Sequence, residues 1–156
     1  MHRWLFLNTQ YLIKPIMQSK IKLIIVDDVQ MTRFDLWLKF RKIENIEIIA
    51  EAENGQLFLD LLNIHKPDIV LMDIMMPVMD GLEATKKALS KNPFLKIIAF
   101  TTDNEESTLD KMILSGAKGF LLKSACIDEL QKAIETVMNG STYISTGLVS
   151  LRRSSL

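Results

Sequence analysis

Short apolar segments rich in β-branched residues recur along the chain and predict the strands of a sheet. Most of these segments are continuously apolar rather than alternating, which is typical of strands buried on both faces of a parallel sheet. We predict five such strands, at 21–26, 46–50, 69–72, 97–100 and 120–122.

Segments with helical periodicity lie between the predicted strands. Asp103, followed by Glu106 three residues later, resembles a capping box at the start of one helix, and Gly116 and Gly140 suit the residues that end helices. The predicted buried faces are formed by Leu57, Phe58, Leu61 and Leu62; by Leu82, Thr85, Ala88 and Leu89; by Leu109, Met112 and Ile113; and by Ile127, Leu130, Ile134, Val137 and Met138.

The strict alternation of strands and helices predicts an α/β fold with right-handed crossovers and helices on both faces of the sheet. Five strands are too few for a closed barrel of the eight-stranded type. We therefore expect a five-stranded, doubly wound parallel sheet with the flavodoxin-like order 2-1-3-4-5.

Composition narrows the class of protein further. The 156 residues carry 19 basic and 19 acidic side chains, so the net charge of zero argues against a strongly basic nucleic-acid binder or a polybasic membrane-surface protein. No apolar run approaches the roughly 20 residues that span a bilayer. The single cysteine, Cys126, cannot form an internal disulfide, which favours a reducing, cytoplasmic setting.

We predict one domain at residues 20–140, with a short segment on either side of it. Residues 1–19 are an N-terminal extension with two open interpretations: the natural start is Met17, or the extension is real and Trp4, Phe6 and Tyr11 cover an apolar surface. Residues 141–156 form a short C-terminal tail, which is too short for a second domain. Its basic residues Arg152 and Arg153 cannot replace a DNA-binding domain.

Polar residues follow four of the predicted strands: Asp27 and Asp28 after the first, Asp73 after the third, Thr101 after the fourth and Lys123 after the fifth. In the order 2-1-3-4-5 these strands are neighbours, and ligands bind beyond the carboxyl ends of such strands. Three converging carboxylates repel one another, and Mg²⁺ relieves that repulsion. An aspartate beside a metal ion and a lysine can act as a nucleophile toward phosphorus.

These residues also carry a resemblance to a known family. The chain resembles the receiver domain of bacterial two-component response regulators over about 21–138, on the following stretches: Val26-Asp27-Asp28, Asp73-Ile74-Met75-Met76-Pro77-Val78-Met79-Asp80-Gly81, Thr101, and Gly119-Phe120-Leu121-Leu122-Lys123. The resemblance implies a phosphorylation-dependent signalling switch, not an enzyme, in which Asp73 accepts a phosphoryl group from a sensor histidine kinase.

The resemblance also implies roles for the surrounding residues. Mg²⁺ is held by Asp27, Asp28, Asp73 and the carbonyl of Met75. Thr101 and Lys123 contact the phosphoryl group, and Phe120 occupies the aromatic switch position. The stretches at 123–130 and 140–145 look like the subfamily whose receivers precede a LuxR-type helix-turn-helix, so DNA binding by this chain alone is not expected.

Three rival functions fit the residues less well. An FMN-binding flavodoxin needs a phosphate loop rich in glycine and hydroxyl groups after the first strand, where this chain has Asp27 and Asp28. A haloacid dehalogenase-type phosphatase usually carries its nucleophile there, in an Asp-x-Asp motif, and here the candidate acceptor Asp73 follows the third strand. A degenerate receiver that only binds partners would not need the complete set of acidic, hydroxyl and lysine residues.

The first predicted helix has apolar residues over too wide an arc for one sheet to cover. Leu36, Phe40 and Ile43 form one face, and a second face is formed by Met31, Phe34, Trp37 and Leu38. We expect the second face to meet another surface. Related receivers often pair through their first and last helices, which implies a homodimer.

Overall fold

A computed structural model of the chain describes residues 19–103 and 105–148. The described strands form one parallel sheet in the order β2-β1-β3-β4-β5-β6. The strands are β1 (Ile21–Val26), β2 (Ile46–Ala52), β3 (Ile69–Asp73), β4 (Lys96–Thr101), β5 (Gly119–Leu122) and β6 (Tyr143–Ile144). The doubly wound parallel fold and the order of the first five strands are therefore confirmed.

Five helices connect the strands. They are α1 (Gln30–Phe40), α2 (Gly55–Leu61), α3 (Gly81–Lys91), α4 (Glu106–Ser115) and α5 (Ile127–Met138). Gly116, with φ of 97°, ends α4, and Gly140, with φ of 88°, follows the end of α5, as the sequence predicts. None of the helices in the described residues is long and apolar enough to cross a membrane.

The sixth strand corrects the predicted count of five. β6 adds to the free edge of β5, where Tyr143 pairs with Gly119 and Ile144 with Phe120. Its two residues are too few to form a periodic pattern, so hydrophobic periodicity does not predict this strand. The described residues beyond Gly140 pack onto the domain as far as Leu148, which is 2% exposed.

The sheet is covered on both faces because neighbouring residues of a buried strand point to opposite sides. Ile25 of β1 packs with Leu36 of α1 and Ile134 of α5 on one face. Ile24, the preceding residue, packs with Phe58 of α2 and residues of α3 on the other. A third cluster joins α4 to β4 and β5 around Ile74, Ala99, Leu109, Met112, Phe120 and Leu148.

The two predicted faces of α1 are confirmed. Leu36 and Phe40 are 1% exposed, whereas Phe34 is 51% and Trp37 is 41% exposed. The rings of Phe34 and Trp37 stack with their centroids 6.3 Å apart, and the guanidinium of Arg41 lies 5.0 Å from the centroid of Trp37. The residues Trp4, Phe6, Tyr11 and Met17, on which the interpretation of the N-terminal extension depends, lie outside the described residues, as do 149–156.

Two local predictions are wrong. Asp103 does not cap α4: the N-cap is Glu105, and Asp103 instead accepts hydrogen bonds from the backbone N–H of Glu105 and the hydroxyl of Thr108. In α2, Leu57 is 43% exposed while Leu59 is buried, because this short helix turns a different side toward the sheet than the apolar pattern indicates.

Candidate functional site

Two buried carboxylates and a lysine meet at the carboxyl end of the sheet. Asp27 follows β1 and is 1% exposed, and Asp73 ends β3 and is 4% exposed. Lys123, which follows β5, places its Nζ 2.8 Å from Oδ2 of Asp73 and 2.7 Å from Oδ2 of Asp27. A buried carboxylate needs such a counter-charge, so these three side chains form one electrostatic unit.

Asp28 completes an acidic cluster with Asp27 and Asp73. One carboxylate oxygen from each residue lies within 4.8 Å of the others. Oδ1 of Asp27 accepts the backbone N–H of Val29, and its buried Oδ2 has only the 2.7 Å ion pair with Lys123 as a partner among the described residues. This oxygen-only donor set of three carboxylates, with one lysine to balance them, fits the preference of Mg²⁺.

Burial and charged neighbours shift the pKa values of Asp73 and Lys123. Burial raises the pKa of Asp73 above its ordinary value, and this effect outweighs the hydrogen bond and positive charge of Lys123. Burial alone would lower the pKa of Lys123, but its contacts with Asp27 and Asp73 raise that pKa instead. Lys123 therefore stays protonated, and Asp73 is a poorly solvated carboxylate that gains from a cation or a new bond.

The loop after β3 packs tightly under Asp73. The backbone N–H of Met75 donates to Oδ1 of Asp73 over 3.3 Å, and the N–H of Gly81 donates to the carbonyl of Ile74 over 2.9 Å. A Cβ at Gly81 would lie 1.9 Å from the carbonyl oxygen of Asp73, so only glycine fits there. Asp80 caps α3 through the N–H of Glu83. The Asp-Gly pair therefore allows this close approach and starts the next helix.

Thr101 ends β4 and Phe120 lies on β5, the two strands that follow β3 in the sheet. Oγ1 of Thr101 accepts the backbone N–H of Asp103 over 2.9 Å, which leaves the hydroxyl proton available to another acceptor. Phe120 is 2% exposed, so its ring already lies inside the domain. Together with Leu148 they line a cavity of about 10 Å³, which is close to the space of one water.

Sequence reasoning missed several contacts of the site. Arg33 on α1 donates from Nη1 to the carbonyl oxygen of Asp27 over 2.7 Å and pairs through Nε with Glu51 over 3.1 Å. Leu148 forms a wall of the cavity beside Phe120. Neither residue belongs to a periodic pattern or follows a strand directly, so only the three-dimensional packing reveals them.

Comparison with known proteins identifies the family. The model of the response regulator receiver domain matches residues 23–135. The chain belongs to the receiver-domain family of two-component response regulators. It is 36% identical over 125 residues to the response regulator GacA of Pseudomonas aeruginosa, a match covering 80% of this chain and 58% of GacA. This receiver thus spans little more than half the length of that relative.

Solved structures agree with the assignment. A two-component response regulator of the LuxR family from Aurantimonas sp. SI85-9A1 superposes with a TM-score of 0.83 and 26% identity, over 88% of this chain and 99% of the other. A CheX–CheY–BeF₃–Mg²⁺ complex from Borrelia burgdorferi superposes with a TM-score of 0.72 and 26% identity, over 76% and 90% of the two chains. The receiver therefore resembles those of LuxR-type regulators.

Proposed function

We propose that Asp73 is the phosphoryl acceptor of this receiver and that Asp27, Asp28, Asp73 and the Met75 carbonyl hold Mg²⁺ beside it. The observation that carries the proposal is the bridge of Lys123 between the two buried carboxylates, with Nζ 2.8 Å from Asp73 and 2.7 Å from Asp27. A purely structural site would need one carboxylate for one lysine. This site holds three carboxylates, and that excess negative charge suits a divalent cation.

The donor of the phosphoryl group in this proposal is the phosphohistidine of a sensor histidine kinase. An oxygen of the Asp73 carboxylate attacks phosphorus, so an O–P bond forms while the P–N bond breaks and its electron pair leaves with the imidazole nitrogen. Lys123 is close enough to move from Asp73 to the new phosphoryl oxygens and balance their charge. Bound Mg²⁺ supplies further neutralisation of those oxygens.

Thr101 and Phe120 would convert the phosphorylation into a change of shape. Thr101 can donate its free hydroxyl proton to a phosphoryl oxygen, which draws its side chain away from the cavity that it shares with Phe120. The packing of β5 against α4 then changes, because a cavity of this size leaves little slack. A ligand shifts such an equilibrium only by its differential affinity for the two states.

The variant Thr101→Ala tests this switch. It should retain phosphorylation at Asp73 but lose much of the response in α4, β5 and α5, measured as amide NMR shifts. Shifts confined to the loop around Asp73 in the wild-type protein would contradict the switch.

Pairing through the first and last helices would carry the output of the domain. The outer face of α1 exposes Met31, Phe34, Trp37 and Leu38, of which Met31 is 70% exposed. Trp37→Glu should weaken a homodimer in sedimentation experiments, whereas Phe94→Glu, at a position that is 89% exposed and outside this face, should not. A chain that starts at Met17 should dimerise more readily than the full chain, and monomers at high concentration in every form would refute the dimer.

We infer that residues 20–140 signal through protein contacts in the cytoplasm and not through nucleic acid. The full chain has a net charge of zero, which gives no electrostatic attraction to phosphate backbones. The match covers 58% of GacA, and we infer that the output of a whole protein of that kind depends on the part outside this match.

Removal of the metal tests the site itself. Acetyl phosphate with Mg²⁺ should add one phosphate to the chain, and EDTA should stop that reaction without changing the melting temperature by more than a few degrees. Asp103→Asn, at an acidic residue outside the cluster, should be labelled like the wild type. Unfolding on addition of EDTA would show a structural metal and contradict the proposal.

A further inference from the structure

The backbone of Asp27 is held where β1 ends. Its N–H donates to the carbonyl of Ala52 over 3.0 Å, which continues the pairing of β1 with β2. Its carbonyl oxygen, one residue beyond the strand, accepts the 2.7 Å hydrogen bond from Nη1 of Arg33. A buried carbonyl without a donor is costly, so Arg33 replaces the partner that the sheet no longer supplies.

The peptide bond involved joins two of the three carboxylates in the acidic cluster. The carbonyl of Asp27 and the nitrogen of Asp28 belong to one planar unit, so fixing that carbonyl also fixes the direction in which Asp28 leaves the strand. Asp28 is exposed, and its side chain makes none of the hydrogen bonds or ion pairs found among the described residues. Its position relative to Asp27 therefore depends on the backbone.

The side chain of Arg33 is itself fixed at a second point. Nε pairs with Oε2 of Glu51 over 3.1 Å, and Glu51 lies on β2 opposite Ile25 of β1. The guanidinium thus joins helix α1, strand β2 and the end of β1, and its side chain is only 15% exposed. The planar fork of arginine can hold both acceptors at once, whereas the single ammonium of lysine offers a different geometry.

We propose that Arg33 is a positioning residue for the acidic cluster, which sets the peptide between Asp27 and Asp28 so that both carboxylates can bind one divalent cation. This inference rests on the magnesium site proposed above. It assigns Arg33 no contact with the metal or with the phosphoryl group.

The Mg²⁺ affinity of an Arg33 variant should change in opposite directions, depending on whether Arg33 acts only through its charge or also positions the carboxylates. As a positive charge near three carboxylates, Arg33 repels a cation, so its removal would tighten Mg²⁺ binding if charge were its only effect. As a positioning residue, its removal weakens binding even though the repulsion is relieved. Loss of a residue that orients metal ligands typically lowers metal affinity about 10- to 100-fold.

The experiment compares Arg33→Gln, which removes the charge, with Arg33→Lys, which keeps the charge and loses the fork. Mg²⁺ is titrated into each unphosphorylated protein and binding is followed by the amide NMR shifts of residues 27–29. Glu51→Gln is the control, because it removes the negative charge but keeps a side-chain oxygen that can accept the hydrogen bond from Nε of Arg33. Melting temperatures measured without Mg²⁺ show whether each variant folds. If Arg33→Gln does not fold, the comparison of Arg33→Lys with the wild type carries the test.

We expect both Arg33 variants to bind Mg²⁺ about tenfold more weakly than the wild type, and Glu51→Gln to bind within about threefold of it. The acetyl phosphate reaction of the Arg33 variants should recover toward the wild-type rate at high Mg²⁺ concentration. Unchanged affinity in Arg33→Lys, with unchanged or tighter binding in Arg33→Gln, would overturn the positioning role. A wild type that does not bind Mg²⁺ at Asp27 and Asp73 would overturn the metal site as well.

Discussion

Leu148 provides a quantitative test of whether the residues after Gly140 belong to the folded domain. Its side chain is 2% exposed and packs in the cluster with Met112, Phe120 and Leu109. The substitution Leu148→Ala removes about three carbon groups, and at about 0.8 kcal/mol each the lost burial amounts to about 2.4 kcal/mol. A residual cavity would add to this, and values for such substitutions run from about 2 to 5 kcal/mol.

The expected loss lies toward the lower end of that range. The backbone N–H of Leu148 donates to the carbonyl of Ser145 over 2.9 Å, and the lost burial of about 2.4 kcal/mol by itself places the loss in that part of the range. We therefore expect the free energy of unfolding to fall by about 2 to 3 kcal/mol. In urea, with a slope of about 1–3 kcal/mol per molar, the midpoint should fall by about 0.7 to 3 M.

Leu114→Ala is the matched control for this experiment. Leu114 lies on α4 and is 84% exposed, so the same substitution there should change the free energy of unfolding by no more than about 0.5 kcal/mol. A Leu148 variant that unfolds like this control would show that the C-terminal residues do not contribute to the core, and would refute the packing of Leu148 against Phe120.

Two further predictions concern the loop that follows the proposed acceptor. Gly81→Ala should destabilise the protein by about 3 kcal/mol and slow phosphorylation, because its Cβ would meet the carbonyl of Asp73 at 1.9 Å; an unchanged melting temperature would contradict this close approach. Val78 has φ of 70°, a left-handed conformation that strains a β-branched residue, and it is 83% exposed. Val78→Asn should therefore raise the free energy of unfolding by about 0.5 to 1 kcal/mol. A lower free energy of unfolding in urea titration would contradict strain at this position.

The residues that meet at the candidate site could be predicted from the sequence because of a rule of sheet geometry. Asp27, Asp73, Thr101 and Lys123 each end or directly follow a buried strand, and the sequence reveals such strands through their continuous apolar runs. In a doubly wound sheet those strand ends are neighbours. The contacts of Lys123 with both buried carboxylates follow the prediction that acidic and basic groups converge there.

The remaining details depend on contacts that leave no pattern in the sequence. β6 has two residues, and its position is set by backbone hydrogen bonds to β5 rather than by a run of apolar side chains. Arg33 binds a backbone carbonyl, which every residue offers, so sequence cannot distinguish its partner. Asp103 resembled a helix cap because its spacing to Glu106 was right, but its carboxylate turned to Thr108 instead.

The most direct test of the account is to identify the phosphorylated residue. The wild-type chain and Asp73→Asn are incubated with acetyl phosphate and Mg²⁺, and intact masses and phosphopeptides are measured before the acyl phosphate hydrolyses. We predict one added phosphate on the wild type, at Asp73, and none on the variant. Full labelling of Asp73→Asn, or a phosphate on another residue of the wild type, would contradict the central claim.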